Sequence, residues 1–118
     1  MYFEAARRQA QNLRYNATRF RLNATHAAIS HRDDPTQLWG DFVYMVPPFL
    51  AYFGVATSDM PFMQEAVQQC ELYAQVLETD ITLSSGASCA GLWKHIVSQP
   101  AELEPDVCCS DPYVWLTR

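Results

Sequence analysis

Charge is scarce in this chain. Asp, Glu, Lys and Arg make up only 18% of the residues, and 13 acidic side chains outnumber 8 basic ones to leave a formal net charge of −5. Without a basic run or patch, nothing stands ready to neutralise a phosphate backbone or anionic lipid heads, so nucleic acid is excluded as an expected partner. Closely spaced thiols are missing too. Cys70, Cys89, Cys108 and Cys109 contain no Cys-x-x-Cys, and the adjacent Cys108-Cys109 pair is a poor tetrahedral chelate. No metal and no cofactor is therefore expected. The four thiols allow three disulfide pairings in an oxidising compartment, or small buried hydrophobes and loop thiols in a reducing one.

Long apolar runs are absent as well. The longest, Phe42 to Ala56, falls short of the ~20 residues a membrane helix needs, and Pro47-Pro48 interrupts it. It reads as a core segment, and no membrane partner is expected. The opening MYFEAARRQAQNLRYNATRF holds no uninterrupted apolar stretch of the secretory type. Extracellular placement would require a signal carried by a longer parent. Two sequons, Asn16-Ala17-Thr18 and Asn23-Ala24-Thr25, point the other way, towards a secretory history. What the chain does hold is core-forming material: 49% of its 118 residues are hydrophobic and 13% aromatic, enough for one domain spanning residues 1–118.

Good helix formers fill Tyr2 to about Tyr15, with Phe3, Ala6, Ala10 and Leu13 at helical spacing, which predicts a first helix. From Asn16 to Thr36 the composition turns to Asn, Thr, Ser, His and Asp without sustained periodicity, which predicts a long ordered loop. Asp34-Pro35 reads as the cap and first turn of a second helix, with a start near Pro47 as the alternative. Gly54 and its neighbours close that segment, and Ser58 or Asp59, followed by Pro61 and Glu65, opens a third helix. Through Leu77, the positions Phe62, Met63, Ala66, Val67, Cys70, Tyr73, Ala74 and Leu77 form an apolar stripe opposite Gln64, Gln68, Glu71, Gln75 and Glu78. After the turn-rich Ser84 to Ser88, Leu92 to Ile96 reads as a short extended piece, and Gln99 to Arg118 shows no periodicity.

The expected fold class is all-α: antiparallel helical hairpins with long loops on one side. Trp39 to Phe53 is apolar on every face, which one hairpin cannot cover. The chain is therefore expected to be a slice of a larger helical barrel, or to self-associate through that surface.

Within this apolar segment stands Asp41, the one charged residue between Asp34 and Asp59. Burial among Trp39, Phe42, Val43, Tyr44 and Met45 without a cation would disfavour its carboxylate and favour a proton donor near neutral pH. Such isolated carboxylates also occur as helix caps and network members. Trp39 suits stacking on a sugar ring and suits a core equally well.

The run HRDDPTQLWGDFVYMVPPFLAYFGV, the Gln-rich helix after it and LWKHI together resemble the six-hairpin glycosidases, in particular glycoside hydrolase family 105 and its fungal relatives. The resemblance implies a partial (α/α)6 six-hairpin barrel, of which this chain corresponds to a middle part. It also implies hydrolysis of unsaturated rhamnogalacturonyl or glucuronyl oligosaccharides left by pectin or glycosaminoglycan lyases. Trp39, Asp41 and Met45 match a Trp-x-Asp-x-x-x-Met arrangement in which the Asp protonates the vinyl ether carbon and activates water. On this reading Asp41 is the general acid and base, and His31 and His95 line sugar subsites. Trp39 stacks on the sugar, and Met45 lines the pocket one helical turn on. A second carboxylate at fixed separation is not demanded by this chemistry, unlike ordinary glycoside hydrolysis. The ending Asp111 to Arg118 resembles the approach to the family's Gly-Asn-Gly-Trp stretch.

Two other readings compete. One is a noncatalytic helical interaction module that oligomerises through the apolar 39–53 segment. The other is a carbohydrate-binding remnant in which Trp39, Trp93 and His95 hold a sugar without turnover.

Overall fold

The computed structural model describes residues 2–82 and 84–99. Cys108, Cys109 and the closing Asp111 to Arg118 run lie outside the described residues. The elements are α1 (Tyr2–Tyr15), β1 (Arg19–Arg21), β2 (Ala27–Ile29), β3 (Gln37–Trp39), a 3-10 helix (Gly40–Tyr44), α2 (Val46–Thr57), α3 (Met60–Leu77) and β4 (Ile96–Ser98). The first and third of these α-helices were legible from sequence, the second with its start left open between Pro35 and Pro47; of the strands, only an extended piece beside β4 was.

The all-α, six-hairpin expectation is overturned. Two antiparallel two-stranded sheets, β1 with β2 and β3 with β4, accompany the helices. The first lies in the stretch read as a long loop, where Arg19 pairs with Ile29 and Arg21 with Ala27. Its strands are three residues each, too short for an alternating pattern to show. The second joins Trp39 to Ile96 and Gln37 to Ser98, a pairing between distant segments that no local pattern reports. The extended piece expected at Leu92 to Ile96 thus begins only at Ile96. Pro35 opens no helix: it follows a cis peptide bond, and α2 begins at Val46 with a proline in its first turn.

The α2 and α3 helices form a tight hairpin. Its turn is not the expected glycine but Ser58, in the left-handed conformation, whose N–H and that of Asp59 close onto the carbonyls of Val55 and Gly54. Gly54 sits inside α2, where an added Cβ would lie 2.7 Å from Met63 Cγ and 3.0 Å from Met63 N. Absence of a side chain there lets the two helices approach. Asp59 occupies the N-cap position of α3 without a side-chain hydrogen bond.

Burial on α3 falls on Phe62, Ala66, Gln69, Leu72, Tyr73 and Leu77, so the inward stripe is rotated from the predicted one. Val67 is 61% exposed and Cys70 is an exposed free thiol, while Gln69 is 1% exposed. With Cys70 free, none of the three complete disulfide pairings forms, although Cys89, buried beneath the surface, is disulfide-bonded. Phe42 stacks flat on Tyr73 with centroids 4.2 Å apart, and Phe53 meets Phe62 edge-on at 5.1 Å. Each such buried aromatic contributes roughly 1.5–3 kcal/mol through apolar burial.

The rotation has a polar cause. Ser30 N–H bonds Thr18 O, and Leu22 N–H bonds His26 O, so the alternate pairs carry the ladder and Ile29 turns both its backbone groups to the outer edge. Gln69 Oε1 accepts from Ile29 N–H at 2.7 Å, and Tyr73 Oη donates to Ile29 O at 2.7 Å. Gln69 Nε2 in turn donates to Glu65, which also pairs with Arg19 at 3.1 Å. On the opposite edge, the Gln99 carboxamide bonds both N–H and C=O of Arg21. Side-chain amides and a phenol thus complete the ribbon where further strands would otherwise be needed.

One side of the apolar 39–53 segment faces outward. Phe42, Pro47, Leu50 and Phe53 are buried, whereas Tyr44, Met45 and Tyr52 are exposed, Tyr52 at 79%. No helix among the described residues is long and apolar enough to cross a membrane.

Candidate functional site

Pairing of β3 with β4 draws three separate segments together. Gly40 N–H bonds His95 O at 2.8 Å, which carries the His95 ring beside the first turn of the 3-10 helix, where Asp41 stands. His95 Nε2 lies 3.4 Å from Asp41 Oδ1. From the other flank, His31 N–H bonds Gln37 O at 2.7 Å and ties the residues after β2 onto β3.

Trp39 is the centre of this face. The His31 ring lies parallel to it with centroids 4.7 Å apart and planes 12° from parallel, and the His95 ring meets it edge-on at 5.8 Å. Arg32 Cζ lies over the indole, 5.2 Å from the ring centroid. The indole N–H donates to Gln37 Oε1 at 2.9 Å, and Gln37 Nε2 donates to Ser98 Oγ at 2.9 Å. The indole is therefore oriented by a relay that crosses both strands. Its direction is set by structure far from it in sequence.

Four of the five residues singled out from sequence, His31, Trp39, Asp41 and His95, thus converge. Met45 stands half exposed at the junction of the 3-10 helix and α2. Sequence reasoning missed Arg32 and Gln37. Arg32 was visible only as the neighbour of His31, and Gln37 had no signal, because its role depends on Ser98.

The environment of Asp41 differs from the dry pocket expected. Its side chain is 47% exposed, and His95, itself 24% exposed, faces it. The segment around Asp41 is apolar, but a 3-10 turn points its neighbour Phe42 into the core and Asp41 toward the surface. Burial lowers the pKa of His31 from its ordinary value; the Asp41 charge opposes that shift and Arg32 adds to it. Burial therefore favours the neutral form of the ring that lies flat on Trp39.

This arrangement combines a carboxylate facing an imidazole, a flat indole and a guanidinium. The first can take and return a proton, the second stacks on a sugar face, and the third pairs with a carboxylate. Among the described residues no group of three or more His, Cys, Asp or Glu side chains could hold a metal ion. A groove of about 520 Å³ lined by Arg21, Asn23, Gln75, Lys94, Val97 and Gln99, among others, contains none of the four converging residues. Trp93, the other candidate for stacking, packs against the hydrophobic core.

Comparison of the chain with family models, with curated proteins and with solved structures found no match.

Proposed function

We propose that the Trp39 face binds an unsaturated uronyl oligosaccharide and that Asp41, with His95, supplies the acid and base for hydration of its C4=C5 bond. The observation that supports this is the meeting of Asp41, His95, Trp39 and His31 on one face, from three segments of the chain. The likeness to glycoside hydrolase family 105 supports it through these residues, not through the fold. In binding, Arg32 leaves the indole it lies over to pair with the uronyl carboxylate, and the sugar ring stacks on Trp39 in its place, with His31 kept on the ring.

Chemically, the Asp41–His95 pair delivers a proton to C4, leaving positive charge shared between C5 and the ring oxygen. Water then adds at C5 as its second proton returns to the pair. The resulting hemiketal opens to a ketone, and the hemiacetal left at C1 expels the neighbouring sugar as an alcohol. Because Asp41 is half exposed, exclusion of water falls to the bound sugar itself.

Loss of the double-bond absorbance follows the reaction directly. Unsaturated disaccharides from pectin and glycosaminoglycan lyases are turned over by the wild-type chain, and Asp41→Asn lowers the rate by about 10²–10⁴-fold. Turnover retained in Asp41→Asn refutes the assignment. Saturated oligosaccharides that bind wild type but not Trp39→Ala, without any turnover of unsaturated ones, would leave a binding module instead.

A second reading is favoured by the outward Tyr44, Tyr52 and Val55. In it the chain is an interaction module that pairs with its own copy through the α2 face. Light scattering separates the two: a dimer dispersed by Tyr52→Glu, in a chain with no sugar binding, favours the module.

A further inference from the structure

The β1–β2 hairpin ends in a tip, Leu22 to His26, that carries the sequon Asn23-Ala24-Thr25 with all three residues exposed. Asn23 Oδ1 accepts from Thr25 N–H at 2.9 Å, from Thr25 Oγ at 3.0 Å and from His26 N–H at 2.9 Å. Backbone donors on one side of the carboxamide identify that atom as the oxygen. None of these three bonds engages Nδ2. The second sequon begins at Asn16, exposed just beyond the end of α1. Neither asparagine belongs to the Trp39 face.

An independent feature bears on the compartment. Cys89 is buried and disulfide-bonded, a state that persists in secretory and extracellular surroundings and is rare where thiols are kept reduced. We infer that the chain matures in an oxidising, glycosylating compartment and that Asn23 there carries an N-linked glycan, with Asn16 as a second acceptor.

In the transfer, Nδ2 of Asn23 forms a bond to the anomeric carbon of a lipid-diphosphate-linked oligosaccharide. The bond from that carbon to the phosphate oxygen breaks, the lipid diphosphate leaves with the electron pair, and Nδ2 gives up one proton to a base. Folded, the hairpin tip holds the product without loss of any buried contact, since Asn23, Ala24 and Thr25 all face solvent. Asn23 also borders the groove with Arg21, Lys94 and Gln99, so a glycan there stands over that groove and closes it to other ligands.

The test is secretion of the full chain from a eukaryotic host behind an added leader, followed by peptide mapping with and without enzymatic removal of N-glycans in heavy-oxygen water. The expected result is an oxidised Cys89 and a glycan-derived label on Asn23, with Thr25→Ser keeping the label and Thr25→Val abolishing it while Asn16 remains labelled. A secreted chain with Cys89 oxidised and Asn23 unmodified overturns the inference. So does a chain retained inside the cell, reduced and unmodified. Mapping the wild type alone decides the matter if the Thr25 variants fold poorly.

Discussion

Replacing Gln69 by Leu probes the device that docks the β-ribbon on α3. The two side chains are similar in size, so no cavity opens, and the change is confined to polar partners. Ile29 N–H, held at 2.7 Å by Gln69 Oε1 in a position 1% exposed, loses its acceptor where water does not reach. An orphaned buried donor costs about 1–3 kcal/mol. Glu65 loses the Gln69 donor as well but keeps Arg19 at 3.1 Å, so this part belongs at the low end of about 1.5–3 kcal/mol for a charged acceptor. Better burial of an apolar side chain returns about 1 kcal/mol. The net expectation is a loss of about 2–3 kcal/mol, a large fraction of the ~5–15 kcal/mol available to a domain. For a chain of this size that corresponds to a melting temperature lower by about 8–12 °C. Urea melts followed by circular dichroism give the first number, and amide exchange at Ile29 gives the local one. A midpoint within about 0.5 kcal/mol of wild type, or an Ile29 amide still protected in the variant, refutes the reasoning.

Tyr73→Phe removes the partner of the Ile29 carbonyl and is expected to cost about 0.5–1.5 kcal/mol; combined with Gln69→Leu in a double-mutant cycle, the two losses are non-additive because both act on one residue. Gly54→Ala drives a Cβ to within 2.7 Å of Met63 Cγ and 3.0 Å of two backbone atoms of α3 and its cap, so it destabilises by about 1–3 kcal/mol in the same urea melts despite the higher helix propensity of alanine. His31, whose folded pKa is depressed by burial below its ordinary 6.5, binds its proton more readily when unfolded; its contribution to stability is present above 6.5 and is lost as the pH falls through the folded value. NMR titration of the His31 ring then shows a midpoint below 6.5, and His31→Gln flattens the acid limb of the stability profile; a midpoint at or above 6.5 contradicts the burial argument. Trp39→Ala removes the ring that both imidazoles contact, and fluorescence titration with uronyl oligosaccharides is expected to show affinity lost by about 5- to 150-fold, given ~1–3 kcal/mol for a stacking platform.

Helical periodicity and end signals decided α1 and the body of α3, and offered the true start of α2 near Pro47 only as an alternative to Pro35, because helix hydrogen bonds and helix faces are local and leave their mark within a few residues. Asp41, Trp39, His31 and His95 were readable as chemistry-bearing residues for the same reason: their types and immediate neighbours are visible along the chain. Their meeting was not. It depends on Trp39 pairing with Ile96, a contact that must offset the entropy of closing a long loop, and on His31 lying against Gln37 across a turn, neither of which a local pattern reports. The inward turn of Gln69, a residue that the apolar periodicity of α3 does not mark, was likewise decided by the backbone of Ile29, a residue 40 positions away. The half-exposed setting of Asp41 follows from the same limit, since an apolar neighbourhood in sequence says which residues seek burial but not which side of a 3-10 turn faces the core. Composition and periodicity determined the helices and the cast of reactive side chains; the distant pairing of β3 with β4, a β1–β2 hairpin whose strands are too short to show alternation, and the docking of Ile29 on Gln69 leave no local mark, and these determined the sheets, the orientation of α3 and the face on which those side chains gather.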